Sequence, residues 1–99
     1  MENKEEILKS MGGIPEAVYD AIVQSFYEEA KGRLAVIKAS VESNNFEEIA
    51  MAAHAIKGSA GNLRLTQIQE IAKALELAAK ANISSDVIKF QEKLISLIP

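Results

Sequence analysis

The chain has 99 residues, of which 48% are hydrophobic and 25% are charged, and its formal net charge is −3. This length and apolar content suffice for one domain with a modest core, so we expect residues 1–99 to form a single domain. An acidic chain offers no general attraction to phosphate backbones, which argues against a nucleic-acid partner. The sequence contains no cysteine, which excludes disulfides and thiolate metal sites.

The apolar stretches of the sequence are short. None approaches the roughly 20 residues that a membrane-spanning helix needs. The polar, acidic residues 1–6 also lack the basic start and apolar run of a secretory signal. We therefore expect no membrane contact by this domain and a cytoplasmic location.

The first predicted element is a short helix around residues 5–10. Gly12 and Gly13 follow it and can end the helix and turn the chain. Pro15 suits the first position of a second, longer helix that is predicted to reach about Val41. Its inward face is predicted from apolar residues three and four positions apart: Tyr19, Ile22, Phe26, Ala30, Leu34, Ile37 and Val41.

A second long helix is predicted after Ser43. Either Asn44 or Asn45 can cap it, and Glu47 and Glu48 are favourable in its first turn. Its apolar residues repeat at alternating steps of three and four, which is the pattern of a bundle helix. These residues are Phe46, Ile49, Ala53, Ile56, Ala60 and Leu63.

Two further helices are predicted in the remaining chain. One begins at Thr66 and ends near Asn82, with Ile68, Ile71, Ala72, Leu75, Ala78 and Ala79 facing inward. Ser84 or Ser85 can cap the other, whose inward residues are Val87, Phe90, Leu94 and Ile98, with Gln91 and Lys93 outside that face. Amphipathic helices joined by short connections predict an all-α fold, an antiparallel four-helix bundle with a short additional N-terminal helix.

His54 is the only histidine of the chain. On a helix it lies about 130° from the centre of the apolar face, so we expect it to face solvent or the edge of a groove. A lone histidine in such a place is either incidental or functional, because imidazole is the side chain that most readily exchanges protons near neutral pH.

The residues that share the helical face of His54 distinguish these alternatives. Those three or four positions away are Ala50, Met51, Lys57 and Gly58, with Gly61 two turns on. A glycine inside a helix costs about 1 kcal/mol relative to alanine. Gly58 and Gly61 therefore either leave a bare patch that a partner protein can approach, or permit close helix packing, or mark a helix end.

Lys57 lies one helical turn after His54. Its ammonium group can neutralise a phosphoryl group on the imidazole, and charge stabilisation is what phosphoryl transfer chiefly requires. The alternative is a solvated surface lysine. The combination of an exposed histidine, a lysine at +3 and a glycine at +4 favours the first interpretation.

Residues 53–63, AHAIKGSAGNL, resemble the signature of histidine phosphotransfer domains, the HPt family of two-component phosphorelays. The resemblance implies a short N-terminal helix and a four-helix bundle, with the histidine midway along the second bundle helix. It further implies that His54 accepts a phosphoryl group on Nε2 from a receiver-domain aspartate and passes it to another receiver aspartate. Mg²⁺ is then bound by the partner, and this chain needs no cofactor or metal site of its own.

The segment 74–79, ALELAA, resembles the part of the family that faces the histidine from the next helix. By this resemblance Glu76 accepts a hydrogen bond from Nδ1 of His54 and orients the ring. The alternative is an ordinary charged residue on the rim of a helix. The chain departs from the family at Arg64, where many members have glycine after Asn-Leu, and this arginine either contacts an acidic receiver rim or is solvated.

The resemblance makes response-regulator receiver domains the expected partners, with a hybrid sensor histidine kinase as a further partner or parent protein. We expect a monomer, because one exposed histidine suffices. The alternative function is a phosphorylation-independent helical adaptor that uses the glycine patch to dock a signalling partner. A hydrolytic dyad of His54 and Glu76 is disfavoured, because the sequence shows no convincing nucleophile or metal site beside it.

Overall fold

The computed structural model describes residues 3–99, and these form five helices. The helices are α1 (Lys4–Ser10), α2 (Glu16–Glu42), α3 (Phe46–Asn62), α4 (Thr66–Lys80) and α5 (Ser84–Leu97). The bounds agree with the predicted elements to within one or two residues, and α4 ends at Lys80 where an end near Asn82 was expected. The all-helical prediction is confirmed.

Local sequence explains several of the helix starts. The Asn45 side chain accepts a hydrogen bond from the backbone N–H of Glu48 at 3.2 Å, so the predicted cap of α3 is present. Pro15, in contrast, precedes the first helical residue of α2 rather than occupying it. The prediction that Ser84 or Ser85 caps the last helix is wrong, because α5 begins at Ser84 after Ile83 and has no side-chain cap.

Three connections of the same design join the bundle helices. In each a residue with left-handed backbone sits at the middle of three: Asn44 (φ 56°), Arg64 (φ 61°) and Asn82 (φ 57°). The residue after it donates its N–H to a carbonyl at the end of the preceding helix, as Leu65 does to Ala60 at 2.9 Å. Such short connections reverse the chain and make successive helices antiparallel.

The four long helices close into a bundle. Helix α3 packs against α2 and α4, and α5 packs against α4 and α2. The prediction of an antiparallel four-helix bundle preceded by a short helix is therefore confirmed. The core includes the largest fully buried side chains Ile37, Ile49, Ile56, Leu75, Leu94 and Val87.

Two positions, one on α2 and one on α5, lie on the other side of the predicted boundary between core and surface. Ile22 is exposed, and the half-buried Val23 takes its place, because the inward face of α2 steps from Tyr19 to residue 23 and then to Phe26. Gln91 is buried, although its polar side chain suggested an outward position. It lies four residues after Val87 and three before Leu94, so its helical angle places it on the same inward face.

Candidate functional site

His54 lies at the midpoint of α3, on the side of the helix opposite its core residues. The side chain is 65% exposed, in agreement with the angle that the sequence pattern predicts. Ala53 and Ile56, its neighbours on the inward face, are fully buried. The packing of these residues fixes the helix and so fixes the direction in which the imidazole projects.

Glu76 approaches the ring from α4. Its carboxylate oxygen Oε2 lies 2.9 Å from Nδ1 of His54, and only 5% of its side chain is exposed. The neighbouring residues Leu75 and Ala79 belong to the core and hold this part of α4 against α3. The bundle therefore brings together two residues that stand 22 positions apart in the sequence.

Two lysines complete a cluster around the same carboxylate. The Nζ atom of Lys57 lies 2.8 Å from Oε1 of Glu76, and that of Lys80 lies 3.1 Å from Oε2. Lys57 is 28% exposed and Lys80 is 62% exposed. Two ammonium groups and one carboxylate leave the cluster with one net positive charge when the imidazole is neutral.

The protonation of Glu76 determines the tautomer of His54. Burial raises the pKa of the carboxyl group, but hydrogen bonds from Lys57, Lys80 and His54 outweigh that effect and lower the pKa from 4.5 to about 2. An ionised carboxylate only accepts hydrogen bonds, so Nδ1 must carry the ring proton in this contact. The lone pair of the neutral imidazole is then on Nε2, and within residues 3–99 no protein atom forms a hydrogen bond with Nε2.

The surface beside the ring is partly bare. Met51 is exposed, and a Cβ atom added to Gly58 would have no neighbour within 4 Å. Gly58 therefore does not serve close helix packing. Ala50 was predicted to lie on this exposed face, but it is buried, because α3 contacts both α2 and α4 and its covered arc is correspondingly wide.

A groove of about 580 Å³ opens on one side of His54, between the first half of α3 and the end of α4. Phe46 and Met51 line one wall, and Lys80 and Asn82 line the other. Ala50 contributes to its lining although it belongs to the core. The imidazole thus stands at the edge of this groove, with the open position of Gly58 one turn further along the helix.

Gly61 and Arg64 have different surroundings. A Cβ atom at Gly61 would lie 2.7 Å from Nε2 of Gln69, so this glycine serves the close approach of a side chain from α4. Arg64 turns back on its own helix and donates hydrogen bonds to the carbonyl oxygens of Gly61 (3.2 Å) and Asn62 (3.0 Å). Its left-handed backbone also explains why glycine is usual at this place in the family that the sequence resembles.

Sequence reasoning did not identify Lys80. The signal was present, because Lys80 follows Glu76 by four residues and a Glu-to-Lys pair at this spacing meets on one helical face. This spacing is common on helix surfaces, and it indicates a functional residue only because α3 brings His54 to the same carboxylate. The groove residues Phe46 and Asn82 were missed for the same reason.

Within residues 3–99, no helix is both long and apolar enough to cross a membrane. The described part of the chain also contains no group of three or more His, Cys, Asp or Glu side chains arranged to hold a metal ion.

The chain matches a known protein family. A family model described as the Hpt domain matches residues 21–97, which include α3, α4, α5 and most of α2. No curated protein and no solved structure matches the chain.

Proposed function

The chain belongs to the Hpt domain family, and on this premise we propose that it carries a phosphoryl group on Nε2 of His54 between aspartates of receiver domains. Membership in the family implies histidine phosphotransfer in phosphorelays, by a phosphocarrier rather than a classical enzyme. The observation that carries the assignment to His54 is its Nδ1 contact with Glu76 at 2.9 Å, on a side chain that is 65% exposed and whose Nε2 has no hydrogen-bond partner in residues 3–99.

The chemistry follows from that contact. The Nε2 lone pair attacks the phosphorus of a receiver phosphoaspartate, and the N–P bond forms as the bond from phosphorus to the aspartate oxygen breaks. The aspartate leaves as a carboxylate with the electron pair. The imidazole gains positive charge in this step, and the Glu76 carboxylate stabilises that charge through Nδ1–H. The reverse reaction delivers the phosphoryl group to a second receiver aspartate.

The charge of the cluster suits this cargo. A phosphoryl group brings a charge of about −1.5 to −2, whereas the resting cluster of Glu76, Lys57 and Lys80 has one net positive charge. Lys57 lies on the same helix as His54, and its ammonium group can leave the Glu76 carboxylate and bind the phosphoryl oxygens instead. The receiver supplies the Mg²⁺ ion and most of the catalysis, so this chain needs no cofactor for the transfer.

We assign the docking of the receiver to the surface around His54. Met51 offers an exposed apolar contact on one side of the ring, and Gly58 leaves room for a close approach on the other. Ala50 contributes only the groove lining. Gly61 and Arg64 lie further along, at the end of α3, and belong to the rim of this surface.

The experiment is phosphoryl transfer from a phosphorylated receiver domain in the presence of Mg²⁺. We expect acid-labile, base-stable phosphate on the wild type and none on His54→Gln, with the helical signal of both unchanged. Failure of the wild type to accept phosphate from several receivers would contradict the proposal and favour the phosphorylation-independent adaptor.

The docking surface has its own matched pair. Met51→Ala should slow transfer severalfold, whereas Ile95→Ala, which also truncates an exposed apolar side chain, should leave the rate unchanged because Ile95 lies on α5. Equal rates for the two variants would remove Met51 from the docking surface.

A further inference from the structure

Oxygen Oε2 of Glu76 is contacted by side chains from two different helices. Nδ1 of His54 approaches it from α3 at 2.9 Å, and Nζ of Lys80 approaches it from the same helix as Glu76 at 3.1 Å. Lys57 occupies the other oxygen, Oε1. The two lysines therefore contact different oxygens of one carboxylate, and their positions are not equivalent.

The ion pair between Lys80 and Glu76 lies within α4. Lys80 follows Glu76 by four residues, and this order of the two charges is the favourable one on a helix. Lys80 also lies in the last turn of α4, where a positive charge interacts well with the helix dipole. Movement of a side chain on α3 therefore leaves this pair intact.

The bond from Lys57 to Glu76 crosses from α3 to α4, and Lys57 lies one helical turn after the phosphoryl acceptor His54. On the proposed function, a phosphoryl group on His54 attracts the ammonium group of Lys57. Glu76 then loses its donor on Oε1 at the stage when it must keep Nδ1 oriented. A carboxylate without a second anchor could rotate away from the ring, and among residues 3–99 Lys80 is the remaining ion-pair partner that prevents this.

We propose that Lys80 is a positioning residue of the site, which keeps Oε2 of Glu76 on Nδ1 of His54 while Lys57 moves to the phosphoryl group. The proposal rests on the proposed function and adds a division of labour between the two lysines. Lys80 acts through Glu76 and does not itself bind the phosphoryl group.

Phosphoryl transfer from a phosphorylated receiver tests this role. Lys80→Gln should lower the rate at saturating receiver about two- to fivefold, the effect of losing one partly exposed ion pair, and leave the half-saturating receiver concentration unchanged. Lys80→Arg should restore the rate, because it keeps the charge and the donors. Lys38→Gln is the matched control, since Lys38 is an exposed residue of α2 and has no ion pair within residues 3–99.

The same substitution in a Glu76→Gln background separates the two ways in which Lys80 could act. If Lys80 acts through the carboxylate, Lys80→Gln has no further effect there. A further loss of the same size would mean direct attraction of the phosphoryl group and would overturn the proposal. So would a Lys80→Gln rate equal to that of Lys38→Gln. A wild type that takes no phosphate would instead overturn the proposed function, and this inference with it.

Discussion

The two faces of α3 serve different ends. The inward face carries Ile49, Ala53, Ile56 and Ala60, all fully buried, and holds the helix between α2 and α4. The outward face carries His54, Met51 and Gly58, which are exposed and contribute little to the core. One helix is thus held rigid by its buried side and presents an exposed imidazole on the other.

Removing a buried side chain from the inward face should have the largest effect. Ile56 is 1% exposed, so Ile56→Ala should lower the free energy of unfolding by about 3 kcal/mol, through lost burial and the cavity left behind. Met51→Ala, on the outward face of the same helix, should change it by less than about 0.5 kcal/mol. Urea unfolding measures both, and equal losses would mean that the two faces are not distinct.

The next largest effect is expected from acid, which should weaken the ion-pair cluster that orients His54 on the outward face. The pKa of the Glu76 carboxyl is lowered from 4.5 to about 2 in the folded chain. The ion-pair cluster therefore contributes its full stability above pH 4.5 and loses it as the pH falls toward 2. At about 1.4 kcal/mol for each unit of pKa, the loss by pH 2 is about 3 kcal/mol.

Glu76→Gln serves as the matched variant for this pH dependence. Its stability curve should lack the part of the acid slope that belongs to Glu76, so the wild type and the variant should converge at low pH. Urea unfolding across the acid range measures the difference. Curves that stay parallel would show that Glu76 is not paired in the folded chain.

Substitution of the exposed glycine should raise stability. Gly58→Ala should add about 1 kcal/mol, since the helix gains propensity and the new methyl group meets nothing. Gly61→Ala should add less, because Gln69 must move to admit the methyl group. If Gly58 keeps the surface bare for a receiver, Gly58→Ala should also slow phosphoryl uptake. A variant that is more stable and equally fast would remove Gly58 from the docking surface.

The smallest effect is expected at Arg64. Its left-handed backbone is strained for a residue with a Cβ atom, but two hydrogen bonds to the end of α3 offset part of that strain. Arg64→Gly should therefore stabilise the chain by about 0.5 kcal/mol, relieving the strain while losing the bonds. Arg64→Ala should be destabilising, because it loses the bonds and keeps the strain. Thermal unfolding distinguishes these outcomes.

The same contrast explains what sequence could predict. The inward faces follow the period of the helix, so the four bundle helices and most of their buried residues could be predicted locally. Burial was predicted wrongly at Ile22 and Gln91, where the polarity of the residue and its angle on the helix indicate different sides. It was also predicted wrongly at Ala50, because α3 contacts two neighbouring helices. The pairing of Lys80 with Glu76 is local, but its place beside His54 depends on the packing of α4 against α3, which no local pattern contains.

Glu76 is an intermediate case. The likeness of residues 74–79 to a known family suggested it, whereas its burial and its pairing with Lys57 depend on packing. Arg64 shows the reverse, since its departure from the family pattern was visible in the sequence but its backbone conformation was not. Position along a helix is thus encoded locally, and the chemistry of the site is encoded by contacts between helices.

The central claim is that Glu76 holds Nδ1–H of His54 and leaves Nε2 to carry the phosphoryl group. Nitrogen-15 and phosphorus-31 NMR of the phosphorylated chain, labelled in its single histidine, tests it most directly. We expect phosphorus coupled to Nε2 and a proton retained on Nδ1. Phosphorus on Nδ1, or phosphate on any residue other than His54, would contradict it.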